Sequence, residues 1–130
     1  MITEDYCSFE LSSFLKEKGF DEPCYGIWHV DNKLFDVNYE PLDYSELREE
    51  RLLAPTHQMA MKWLRKKSIR ICIDYNNMSG DWYATIAKEY DGQMSERIRS
   101  EHFTLYEEAV DAAIKYALEK FEITQPERAH

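Results

Sequence analysis

The sequence predicts an α+β fold: an antiparallel sheet built from two β-hairpins, with helices packed mainly on one face. Three observations carry that expectation. Two stretches, 24–39 and 69–87, set apolar residues at the period of two that a strand imposes, each around a turn-forming cluster. Three others, 8–18, 57–67 and 104–121, repeat apolar residues at the spacing of a helix. Strands joined by tight turns run antiparallel. The order α-β-β-α-β-β-α then gathers its helices on one side of the strands.

The first helix spans 8–18, with Ser8 as its cap, Phe9, Phe14 and Leu15 as apolar positions, and Gly19 as its stop. In the first hairpin Asp31-Asn32 serves as a two-residue turn, because both residues tolerate the left-handed conformations of a type I′ turn. Val30 then faces Lys33, Trp28 faces Phe35, and Gly26 faces Val37. Trp28, Val30, Phe35 and Val37 share the inward side. Tyr25, Ile27, His29 and Leu34 share the outward side, which is unusually apolar for a surface.

Residues 40–55 are acidic, contain Pro41 and Pro55, and read as a surface connection with at most a helical turn over 44–51. Thr56 caps the second helix, which runs to about Lys67. Its apolar stripe is His57, Ala60, Met61 and Leu64, flanked by Trp63, while Lys62, Arg65 and Lys66 line the solvent side. In the second hairpin Ile69, Ile71, Ile73 and Tyr75 alternate with Arg70, Cys72 and Asp74. Trp82, Ala84 and Ile86 keep the same inward parity if Tyr75 lies opposite Trp82, and Tyr83, Thr85 and Ala87 face outward. Asp91-Gly92 ends this strand, and 93–103 is open between a further strand and a loop. The last helix opens on a capping box of Thr104 and Glu107. Its apolar face is Tyr106, Val110, Ala113, Ile114, Ala117 and Phe121. Residues 123–130 read as a frayed tail on a single domain, 1–130.

At 130 residues, 44% hydrophobic and 32% charged, the chain is long and apolar enough to bury a core and does not have the composition of a disordered segment. Its net charge of −9 is uneven. Residues 1–61 carry five Lys/Arg against thirteen Asp/Glu, 62–70 carry five cations and no acid, and 71–130 carry six against twelve. Such a balance disfavours nucleic acid and anionic membranes as partners, since both repel it at long range. Cys7, Cys24 and Cys72 are odd in number and lie far apart, so neither a disulfide framework nor a zinc ribbon is indicated. The N-terminus is acidic where a secretory leader is basic, and no apolar run reaches the ~20 residues of a membrane helix. The expectation is a cytoplasmic protein with reduced thiols and no cofactor.

The run from Ala54 to Arg65, APTHQMAMKWLR, resembles a stretch in short uncharacterised proteins of phages and mobile elements of gut Bacteroides-type bacteria. Tyr106-Glu107-Glu108-Ala109 with Ala112-Ala113-Ile114-Lys115-Tyr116-Ala117-Leu118 is similar to their final helix. This resemblance covers roughly 54–120 and implies an origin and a fold rather than an activity. The strand–strand–helix ending with Thr-x-x-Glu-Glu-Ala also resembles HicB-type antitoxin domains, without their glycine-rich strand signals.

No phosphate-cradling glycine loop, nucleophile elbow, HExxH pair or calcium loop is written in the chain. His57, at a helix start where the dipole favours neutral imidazole, is the one residue around which an enzyme site could form. The preferred reading is that it merely continues the apolar stripe and hydrogen-bonds near the cap. His29 and Cys24 have opposite strand parity, which argues against a metal pair. Lys62, Arg65, Lys66 and Arg70 form a candidate anion-binding face for phosphate or nucleic acid. Tyr25, Ile27, His29 and Leu34, joined by Tyr83, form the candidate interface for a protein partner or a second copy, as in a homodimer. The preferred expectation is an accessory module that works by binding protein through the first hairpin.

Overall fold

Among the described residues the elements follow the order α-β-β-β-α-β-β-β-α, one strand more than expected beside each hairpin. The computed structural model describes residues 5–90 and 93–121. The fold is α+β and every paired strand is antiparallel. The two hairpins do not share a sheet. Each belongs to its own three-stranded sheet, and the chain divides into two compact units, residues 1–60 and 61–130.

In the first unit, α1 (Phe9–Glu17) begins where the Leu11 N–H donates to Ser8 Oγ at 3.2 Å. It stops before Gly19, whose φ of 98° is left-handed. β1 (Cys24–His29) is the central strand, with β2 (Phe35–Leu42) on one side and β3 (Arg51–Ala54) on the other. β3 replaces the end of the expected surface connection. Its run Leu52-Leu53-Ala54 is buried throughout, so it lacks the alternation that marks a strand with one wet face. α1 packs on β3. Cys7, Leu11, Leu15, Phe20, Cys24, Ile27, Leu52, Leu53 and Ala54 are buried in this unit.

The outer edge of β3 and its continuation are sealed. The Cys7 N–H donates to Pro55 O at 2.8 Å, the His57 N–H donates to Asp5 O at 2.9 Å, and Tyr6 bridges Thr56. The Leu53 N–H donates to the Tyr44 hydroxyl at 3.0 Å. Tyr44 is itself held by its N–H on Asp21 Oδ1 at 2.8 Å, with Lys16 Nζ 5.0 Å from its ring centroid. Burial pushes the Tyr44 hydroxyl up to about 12, partly offset by the Leu53 bond.

In the second unit, β4 (Ile69–Asn76), β5 (Asp81–Tyr90) and β6 (Gln93–Arg99) lie in that order. The expected register is present, with Tyr75 opposite Trp82, Ile73 opposite Ala84 and Ile71 opposite Ile86. At the turn, Asn76 Oδ1 accepts from the Met78 N–H at 2.9 Å and the Ser79 N–H at 3.3 Å, and Gly80 takes a φ of 71°. β6 fills the stretch left open between strand and loop. α3 (Tyr106–Lys120) packs on β5 and β4 and buries Ala109, Val110, Ala113, Ile114, Ala117 and Leu118. Its N-cap is Leu105, with no side-chain cap bond, so the expected Thr104–Glu107 capping box does not form.

In chain order α2 (His57–Arg65) follows β3 and precedes β4, and it is capped as expected by Thr56, whose Oγ1 accepts from the Met59 N–H at 3.1 Å. It ends short of Lys67, and Ser68, with a φ of 66°, turns the chain into β4. The expected strand end at Asp91-Gly92 and the tail 123–130 lie outside the described residues. No described helix is long and apolar enough to cross a membrane.

Candidate functional site

Of the ten large apolar side chains exposed among the described residues, six fall between Tyr25 and Tyr39: Tyr25, Val30, Leu34, Phe35, Val37 and Tyr39. That concentration makes the first hairpin the candidate site. Its backbone register is the one the sequence predicts, with Gly26 opposite Val37 and Trp28 opposite Phe35. The turn is wider than predicted. Lys33, not Asp31 or Asn32, takes the left-handed conformation, with φ 57°, and its N–H donates to His29 O at 2.8 Å. The Val30 N–H leaves the hairpin for Glu50 O at 2.8 Å, and the His29 N–H to Leu34 O bond closes a four-residue loop in place of a two-residue turn.

The His29 N–H donates to Leu34 O at 2.8 Å, which makes His29 and Leu34 a hydrogen-bonded pair. Such pairs alternate along an antiparallel ladder. Phe35 and Val37 therefore direct their backbone groups away from β1, towards the open side of β2. The Val37 N–H finds only a neighbouring side chain, Asp36 Oδ1 at 2.9 Å. Beyond Val37 the ladder breaks, and pairing resumes at Cys24 with Leu42, so Tyr25 alone stands opposite residues 38–41. Asn38 Nδ2 donates to Glu40 O at 2.8 Å across this bulge, and Pro41 has no N–H to offer. Tyr39, at the bulge, is 94% exposed.

Both faces of the hairpin are partly covered. On the Gly26–Trp28 face, Trp28 Nε1 donates to Cys7 O at 3.0 Å, and an aromatic cluster joins Tyr6, Phe9, Trp28 and Phe35. Tyr25 belongs with this face, since it lines a cavity of about 350 Å³ together with Tyr6, Ala54, Thr56 and Met59. On the opposite face, Ile27, His29, Asp36, Leu42, Leu47 and Arg51 line a cavity of about 290 Å³ beneath the 43–50 connection. There His29 Nε2 lies 3.8 Å from Asp36 Oδ2.

The expected outward set is thus divided. Leu34 is 61% exposed and Tyr25 half-exposed, but Ile27, at 7%, is a core residue, and His29 is half-buried. Tyr83 belongs to the second sheet, stacked on His102 at 5.2 Å with Arg99 over its ring at 4.9 Å. The expected inward set also shifts, because Val30, Phe35 and Val37 are exposed. Phe35, Val37 and Tyr39 are the surface residues that parity missed. Pro41 inside the strand, with Asp36 and Glu40 flanking those side chains, was the available signal, since prolines and charges mark sheet edges.

The basic face contributes three exposed cations, Lys62, Arg65 and Lys66, while Arg70 is paired with Glu89 on the neighbouring strand. His57 is buried, and the sulfur of Cys7 lies within 4.8 Å of a ring nitrogen of His57. Sequence reading could not join residues so far apart. Cys7 has no exposed surface, so this thiol offers no approach to a substrate. Cys24 is also buried, and desolvation followed by the charges of Glu22 and Asp21 pushes its thiol up to about 12. Within the hairpin, no three ligating side chains come together among the described residues.

Residues 31–50 carry seven acids against two cations, Lys33 and Arg48. The site combines an exposed apolar strand, an open backbone edge and a negative field. No protein-family model, curated protein sequence or solved structure matches this chain.

Proposed function

We propose that the protein is a small acidic interaction module that binds another protein through its first hairpin. The supporting observation is the gathering of six exposed large apolar side chains within residues 25–39. Water does not favour such a patch, and covering it with a partner recovers the apolar area. The three free cysteines suit a reducing compartment, and we place the protein in the cytoplasm.

The test is affinity capture of the tagged protein from lysate of its own host, with nuclease present, comparing the parent with Leu34→Ala and Tyr39→Ala. Both side chains are exposed, so truncation leaves the fold intact. The parent is expected to retain a stoichiometric partner, and each variant to lose about tenfold in affinity, as for a side chain central to an interface. Equal recovery of the same partner by all three proteins would refute the hairpin as the binding surface.

A further inference from the structure

We propose that the open edge of β2 takes up an extended segment of the partner by strand addition, and that this segment alternates apolar residues with Lys or Arg. The inference rests on the hairpin being the binding surface and specifies how it binds. The two edges of the first sheet are treated differently. The β3 edge is closed by residues 5–7 and by the Tyr44 hydroxyl. Among the described residues nothing pairs with the outer edge of β2, where Phe35 and Val37 present their backbone groups. An unpaired edge is a template for another strand, with main-chain bonds supplying affinity and alternate side chains supplying specificity.

The side chains specify the partner. Phe35 and Val37 stand on one face of β2 and ask for apolar neighbours across the new ladder. Asp36 stands on the other face, its side chain 71% exposed, and asks for a cation. Period-two alternation converts this into an apolar–basic repeat in the incoming strand. A second copy of this chain fits poorly, because β2 holds Asp36 and Glu40 and no cation, so β2 against β2 would set like charges together.

The experiment uses the full chain and a labelled synthetic peptide of about eight residues alternating Val and Lys, the length of one strand. Three controls accompany it: the same residues in two blocks, the alternating peptide with every second backbone amide methylated, and the alternating peptide with Glu for Lys. Anisotropy is expected to show the alternating peptide binding about tenfold or more tightly than each control, the equivalent of one or two hydrogen bonds. Hydrogen exchange at the Phe35 and Val37 amides should slow on binding. Val37→Pro removes an amide that β1 does not use, a substitution edge strands accept, and should weaken binding by about tenfold. If Val37→Pro fails to fold, the methylated peptide decides the matter. Equal affinity for the alternating, block and methylated peptides would overturn the proposal, as would tight binding of the Glu peptide. A dimer of the protein itself that excludes the peptide would also overturn it. A natural partner lost by Leu34→Ala and Tyr39→Ala but kept by Val37→Pro would sink strand addition and leave the hairpin reading standing.

Discussion

Gly26 shows how one missing atom can position a segment. A Cβ built there would stand 2.6 Å from Ala54 O and 2.7 Å from the Tyr6 ring, closer than atoms pack. Tyr6 can lie on the sheet because residue 26 has no side chain. Gly26→Ala is therefore expected to lower stability by about 1–3 kcal/mol, the range for overpacking a filled site. A shift of the urea midpoint at unchanged slope would report it, and an unmoved midpoint would contradict it. The sequence placed Gly26 opposite Val37, since pairing follows from local periodicity and a turn. It carried no sign of Tyr6, because a contact between distant stretches leaves no periodic trace. The break in pairing at 38–41 left no trace either, because parity counting assumes an unbroken ladder.

Helix and strand limits were legible where a side chain or a glycine sets them, as at Ser8, Gly19 and Thr56. They were obscure where tertiary packing decides. β3 is only four residues long and buried, and therefore resembles any short apolar run. At α3 the capping-box pattern was present, but the helix begins one residue late for it, on Leu105. Leu105 has extended backbone, φ −111° and ψ 144°, and is exposed, which suits a capping side chain it does not possess. Leu105→Asp is expected to stabilise the protein by about 1 kcal/mol, through a bond to a free amide and a favourable dipole contact. Thermal unfolding checks this, and a lowered midpoint would mean that Leu105 matters more as an apolar contact than as a cap.

Charge divides the molecule unequally: residues 1–60 hold five cations against thirteen acids, and residues 61–130 hold eleven against twelve. The first unit thus carries −8 of the total −9, and that unit presents the exposed apolar strand. The composition alone showed an acidic chain, but only the fold locates that charge beside an open edge. Stability has its own dependence on pH. Cys24 and Tyr44 ionise at about 12 in the fold, raised from 9.0 and 10.0 mainly by burial, so the fold favours their neutral forms. Above about pH 9 the unfolded chain loses these protons first, and stability falls as pH rises towards 12. Urea midpoints should therefore decline between about pH 8 and about pH 11, and Cys24→Ala should decline less. A flat parent profile would refute this account of the two groups.

The bulge opposite Tyr25 has a consequence for how the protein can diverge. Pairing is regular from Trp28–Phe35 to Gly26–Val37 and resumes in the single pair Cys24–Leu42, so residues inserted or deleted at 38–41 leave the register at the hairpin tip unchanged. Length can vary at this point, and with it the reach and chemistry of whatever Tyr39 now displays, while the sheet beneath stays the same. Under the proposed role, descendants of this chain could change what this surface binds by editing four residues, and selection on the core would not register the change.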